Sequence, residues 1–200
     1  MDFRLRETLR YLGYGKHAVD EQTYLLISES FEELEAVIRE RFVYRIFDLV
    51  QADEELLMLE HFSVRSKLLV KNMKGCQKAV LFAATLGVET DLLVQKTMVR
   101  DVAKAAVMQA CAATRMEELC DRIEFEISDR IGADAYKLKP RFSPGYGDLS
   151  LEYQRAILDI LEAQKKIGIT LTDSYMLSPT KSVTAFIGIM RQKRSEELTC

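Results

Sequence analysis

Apolar side chains recur at intervals of three and four along much of this 200-residue chain, the spacing that gathers them on one face of a helix. In residues 2–12 Leu5, Leu9 and Leu12 share a side, and Gly13 and Gly15 bracket a stop. Asp20 can cap a second helix running to about residue 40, whose stripe is Tyr24, Ile27, Phe31, Leu34 and Ile38 against a Glu-rich face. From Phe42 to Val50 the residues turn β-branched and aromatic, which predicts a strand. A second short strand is expected over Leu56–Phe62, then a short helix capped by Ser63 and ended before Lys74-Gly75. Ala79–Leu86 is apolar throughout and closes at Gly87, the pattern of a strand buried on both faces.

The segment 88–131 has no Gly or Pro and reads mostly as one long helix after a break near Thr97–Arg100. Its stripe is Val102, Ala105, Met108, Ala112, Met116, Leu119, Ile123 and Ile127, and many residues between 103 and 113 are small. Another element can therefore approach closely there, as ordinary core packing. The three prolines fall at 140, 144 and 179, so a shaped loop is expected over 136–147. Asp148 or Ser150 then caps a helix over about 151–166, stopped near Gly168. Ile169–Leu177 is expected as a strand, Ser178–Lys181 as a turn and Ser182–Met190 as its antiparallel partner. The order is α+β: a single domain of long helices on a mainly antiparallel sheet, with a helical arm at 1–40, an α+β core at 41–190 and a charged, frayed tail at 191–200.

Composition narrows the function classes. With 48% hydrophobic residues disorder is excluded, and 28 Lys+Arg against 31 Asp+Glu leave a net charge of −3. Nothing suggests a nucleic-acid surface or a polybasic membrane anchor. No apolar run reaches membrane-spanning length, and Met1-Asp2-Phe3-Arg4 opens a charged amphipathic segment rather than a signal peptide; a soluble cytoplasmic protein is expected. Cys76, Cys111, Cys120 and Cys200 have no Cys-x-x-Cys or zinc-type spacing, and His17 and His61 sit in ordinary settings, so neither a metal site nor histidine catalysis is expected. Phosphate loops, the dinucleotide glycine fingerprint, the nucleophile elbow and His-Glu-x-x-His are all absent. Glu32-Glu33 and Glu117-Glu118 read as solvated helix faces.

One loop differs in kind. Arg141-Phe142-Ser143-Pro144-Gly145-Tyr146 joins a cation, rigid bends, a glycine that exposes backbone and an aromatic hydroxyl. A guanidinium can grip a carboxylate through two charge-assisted hydrogen bonds, and backbone beside Gly145 can approach a ligand closely. A ligand bearing an amino-acid group would fit. On these residues alone, a structural turn and a binding loop stand level.

That segment resembles the Arg-x-x-Pro-Gly-Tyr signature of the activation (reactivation) domain of cobalamin-dependent methionine synthase, in its short stand-alone bacterial form. Leu171-Thr172-Asp173-Ser174 with Pro179 and Ser182-Val183 is similar to that domain's strand pair, and Ala79–Gly87, Arg100-Asp101 and Cys111–Glu126 continue the likeness, which spans about Leu5 to Met190. The resemblance implies an S-adenosylmethionine-binding reactivation subunit. It would support reductive methylation of cob(II)alamin on a separately encoded cobalamin-binding methionine synthase protein, with electrons from flavodoxin or a similar donor. It would make Arg141 the anchor of the methionyl carboxylate, Phe142, Ser143 and Gly145 the backbone cradle, and Tyr146 the aromatic facing the corrin. Glu118, with Arg115, would meet the partner, and Thr114 stands where a further acidic residue is expected. Ala135 stands where another acidic residue is expected, and no counterpart of the family's last strand and helix is expected after Met190. The resemblance asks the protein for positioning and a dry enclosure. An alternative is a non-enzymatic adaptor of the same fold that docks on a corrinoid protein without binding S-adenosylmethionine; a third is an S-adenosylmethionine-dependent methyltransferase with another acceptor.

Overall fold

The computed structural model describes residues 3–14, 20–60 and 62–192; Gly15, His17, His61 and Cys200 lie outside them, as does the charged tail beyond Gln192. In chain order the elements are α1 (Phe3–Tyr11), α2 (Glu21–Val37), β1 (Arg41–Gln51), β2 (Leu56–Leu59), β3 (Phe62–Arg65), α3 (Lys67–Asn72), β4 (Lys78–Thr85), α4 (Val88–Arg100), α5 (Val102–Ile131), β5 (Tyr136–Leu138), α6 (Tyr153–Leu161), α7 (Ala163–Ile167), β6 (Thr170–Leu171), β7 (Leu177–Ser178) and β8 (Ser182–Arg191).

Six strands form one antiparallel sheet in the order β3-β2-β1-β4-β8-β5. Its centre is β4, where only Lys78 escapes burial. Val80, Phe82 and Ala84 pack among Met108, Leu119 and Ile123 of α5, whereas Ala79, Leu81 and Ala83 pack against Ile157, Leu161 and Ile167 of α6 and α7. The apolar run therefore alternates between two cores, and helices cover both faces of the sheet.

On the first face α1, α2 and α4 all pack on α5, and Leu9, Ile27, Phe31 and Leu34 are buried there. The small residues of α5 admit the approach: Cys111 lies under the Ile27 carbonyl, and the buried hydroxyls of Thr8 and Thr114 meet at 3.0 Å. Burial pushes the Cys111 and Cys120 thiols up to about 12, so both act as small apolar groups. The break before α5 falls at Asp101. Its amide donates to the Thr97 carbonyl, closing α4, and its side chain accepts from the Lys104 amide at 2.9 Å, opening α5.

Four local expectations are corrected. The strand expected over 56–62 is the first arm of a hairpin, β2 and β3, which turns through Glu60 at φ +51°. The cap of α3 is Ser66, not Ser63. The helix expected over 151–166 breaks into α6 and α7 at Glu162, held at φ +54°; the Ser150 hydroxyl accepts from the Glu152 amide at 3.3 Å in the turn that leads into α6, whereas Asp148 bonds to the start of α3. Finally, Ile169–Leu177 does not pair with 182–190: β6 and β7 form their own two-stranded sheet, and β8 pairs with β4 and β5.

Leu119 is fully buried between α5 and the sheet. Its replacement by Ala is expected to lower unfolding free energy by about 2–5 kcal/mol, measured by chemical denaturation.

Candidate functional site

The site grows from the free side of β8. Leu138 pairs with Ile189, and Phe142 makes a two-way bridge with Phe186 at 2.9 Å in each direction. Between these pairs residues 139–141 face only 187 and 188, so the edge strand carries one extra residue. Such a bulge re-aims a side chain, and Pro140, which has no N–H to donate, suits an edge position. Phe142 shares the Phe186 side of the sheet and is buried there. Arg141 points to the opposite face, toward α5.

There the guanidinium meets a ladder of acids one helical turn apart: Glu117 at 2.7 Å, Asp121 at 3.2 Å and Glu124 at 2.9 Å. Its side chain is 23% exposed. Burial raises the Glu124 carboxyl above the usual range, although Arg141 opposes the shift. A groove of about 630 Å³ runs beside it, lined by Glu124, Lys137, Lys139, Arg141 and Met190.

After Phe142 the chain turns tightly. The Tyr146 amide donates to the Ser143 carbonyl at 3.1 Å, and the Gly145 amide to the Leu149 carbonyl at 2.7 Å. Gly145 sits at φ +90°, where a Cβ would come within 2.8 Å of Leu151, so glycine is required there. The Phe142, Gly145 and Tyr146 amides and the Phe142, Ser143 and Tyr146 carbonyls are used inside the chain, so among the described residues the Ser143 amide and the Pro144 and Gly145 carbonyls are the backbone groups left for a ligand. Tyr146 stands at the tip, 67% exposed, its ring edge-on to Phe142 with centroids 5.3 Å apart. Asp148 pins the far end: its carboxylate accepts from the Ser66 hydroxyl at 2.5 Å and from the Lys67 and Leu68 amides at 2.7 and 3.3 Å. The loop is thus fixed by the sheet at one end and by the start of α3 at the other.

Arg141, Phe142, Ser143, Gly145 and Tyr146 are therefore contiguous in space, but Glu118 and Arg115 lie on a different side of α5. Glu118 accepts from Arg4 of α1 at 2.7 Å and pairs with Arg115, which also reaches Glu40 at 3.1 Å. Their side chains are only 20% and 15% exposed. Thr172 and Ser174 sit at 3.0 Å from each other in the exposed turn between β6 and β7. That turn is tethered through Gln154, whose amide nitrogen donates to the Tyr175 carbonyl at 2.7 Å and whose amide oxygen accepts from the Thr184 hydroxyl at 3.2 Å. The acidic ladder and Asp148 are functional candidates that the sequence reading missed; only the spacing 117, 121, 124 on an otherwise core-facing helix signalled the former.

A sequence model of the family described as "Vitamin B12 dependent methionine synthase, activation domain" matches residues 69–197. The chain belongs to that family. The match takes in the loop, α5 and β8. Among solved structures, the chain is similar to one described as "Crystal Structure of the MetH Reactivation Domain bound to AdoHcy", with a TM-score of 0.64 at 16% identity over 92% of this chain and 74% of that one. This likeness extends the activation-domain fold, α+β with an antiparallel sheet, beyond the segment matched by the family. No curated protein sequence matches the chain. Among the described residues no helix is long and apolar enough to cross a membrane, and no His, Cys, Asp or Glu group is arranged to hold a metal ion.

The anchor at Asp148 carries a pH signature. The Ser66 hydroxyl, against a smaller opposing effect of burial, and then the Lys67 and Leu68 amides hold this carboxyl below the usual carboxylate range. A depressed folded-state pKa stabilises above the unfolded value and is lost as pH falls through the folded one. Wild type is therefore expected to be more stable than Asp148→Asn at neutral pH, with the difference shrinking below the usual carboxylate range, as read from denaturation midpoints against pH.

Proposed function

We propose that the chain binds S-adenosylmethionine at the Arg141–Tyr146 loop and serves as a separate reactivation subunit for a cobalamin-binding methionine synthase protein. The observation that carries this reading is the half-buried Arg141 guanidinium, set by the bulge beside a groove and surrounded by acids, in a chain of the activation-domain family. The donor set fits a zwitterionic amino-acid group: the guanidinium suits its carboxylate, the carboxylates released from Arg141 suit its ammonium, and the loop's carbonyls can take further donors. S-adenosylmethionine supplies the methyl group, and the partner's cobalamin, reduced by a flavodoxin-like or other donor, is its acceptor. Arg141 anchors the methionyl end, Phe142, Ser143 and Gly145 hold the backbone in place, and Tyr146 is free to cover the corrin and exclude water. Glu118 and Arg115, being tied to Arg4 and Glu40, contribute to the partner surface through the ion-pair network they belong to.

A second reading, an adaptor that docks on a corrinoid protein without binding S-adenosylmethionine, draws support from one fact. The guanidinium is already paired with three carboxylates.

Calorimetric titration separates the two. Arg141→Ala is expected to weaken S-adenosylmethionine binding by at least about tenfold, in line with the worth of a charge-assisted hydrogen bond, with Arg141→Lys intermediate. Tyr146→Ala is expected to leave that affinity within about twofold and instead weaken association with the cobalamin-loaded partner. No binding of S-adenosylmethionine by the wild-type chain, alone or with that partner, would overturn the first reading, and association with the cobalamin-loaded partner in the same titration would favour the adaptor.

A further inference from the structure

One guanidinium against three carboxylates leaves an excess of two negative charges within this ion-paired cluster. Lys137 and Lys139 line the adjoining groove, yet among the described residues neither is ion-paired with these carboxylates. The three acids engage the Nη1 and Nη2 atoms of the guanidinium, and among the described residues its Nε–H has no partner, so a ligand carboxylate can bind at the Nε side or take the place of one of the acids. Glu117 is placed to yield, because one of its oxygens accepts from Arg141 at 2.7 Å while the other accepts from the Tyr11 hydroxyl of α1 at 3.2 Å. It keeps a partner after release. Glu124 is the most covered of the three, at 28% exposure against 37% for Glu117 and 60% for Asp121, and it stays beside the guanidinium.

The entering carboxylate is itself an anion. Unaccompanied, it would raise the local excess to three charges in a partly desolvated place, where Coulomb repulsion is weakly screened. A ligand that brings positive charge with its carboxylate relieves the excess instead. S-adenosylmethionine carries an ammonium and a sulfonium against one carboxylate, whereas its demethylated thioether, S-adenosylhomocysteine, has lost the sulfonium.

We propose that Glu117, Asp121 and Glu124 make Arg141 a charge filter, which favours a carboxylate on a ligand of net positive charge and so prefers the sulfonium ligand to the thioether. The inference deepens the reading of Arg141 as a carboxylate anchor and rests on it. It assigns the acidic ladder a role in specificity that its sequence context, an ordinary helix surface, did not suggest.

The test is titration of the full chain with S-adenosylmethionine and S-adenosylhomocysteine, in wild type, Glu117→Gln/Glu124→Gln and Asp121→Asn. Wild type is expected to bind the sulfonium ligand about tenfold more tightly, the order set by one extra charge near two at intermediate dielectric, and the ratio is expected to fall at raised salt. In the double variant the ratio should drop below about threefold. Asp121→Asn changes the most exposed of the three acids and should lower the ratio in part, which keeps the test valid if the double variant folds poorly. Equal affinities in wild type, or a preference unchanged in Asp121→Asn and in the folded double variant, would overturn the filter while leaving Arg141 as anchor. Binding that survives Arg141→Ala undiminished would overturn the anchor and the filter together.

Discussion

Strand β4 has protein on both faces, and this constraint organises the molecule. An eight-residue strand with seven buried positions needs apolar cover above and below, and each layer of helices answers one set of its alternating side chains. Between two cores there is little room for a buried polar site, since every polar group placed there would need a partner. The polar chemistry is displaced to the margin of the sheet, where β8 runs out of a regular neighbour. There the bulge at Pro140–Arg141 turns a charged residue toward a helix, and Phe142 at once returns the chain to the core.

Much of this is written in periodicity. The stripes of α2 and α5, the apolar run of β4 and the cap at Asp20 each follow from a local rule that tertiary packing reinforces. What escapes the sequence is decided by distant partners. Glu162 adopts φ +54°, although nothing in its residue type breaks a helix, because α6 and α7 both pack on Ala79, Leu81 and Ala83 of β4. Three-residue β5 is too short to show an alternation. The segment 169–177 has a strand's texture, yet β8 pairs with β4 along one side and with β5 and Phe142 over part of the other, while β6 and β7 pair with one another. Asp148 looks like a cap for the helix that follows it but caps one eighty residues earlier.

The candidate site divides the same way. Arg141, Gly145 and Tyr146 could be singled out by residue type, and the turn geometry explains why a glycine is needed where it stands. The acids opposite Arg141 could not, because a row of carboxylates on a helix ordinarily faces water. Only the extra residue in the edge strand brings a cation to them. Glu118, by contrast, matters only through the resemblance and is held in an intramolecular network with Arg4 and Arg115. Its neighbour Glu117, which looked like the same solvated pair, holds Arg141 and Tyr11 instead.

The junction between α4 and α5 has a consequence for how this chain can vary. Asp101 closes one helix and opens the next with no residue to spare. A residue inserted there would be absorbed by neither cap and would turn the following helix by about 100° relative to its support, since an α-helix has 3.6 residues per turn. The same change would carry Leu119 out of the core and the acids away from Arg141, so packing and site share one rotational phase. Insertions elsewhere, such as in the exposed turn between β6 and β7, leave that phase untouched. Length variation in proteins of this architecture should therefore be tolerated in the turns and excluded from a single peptide position about 35 Å of helix or less from everything that depends on it.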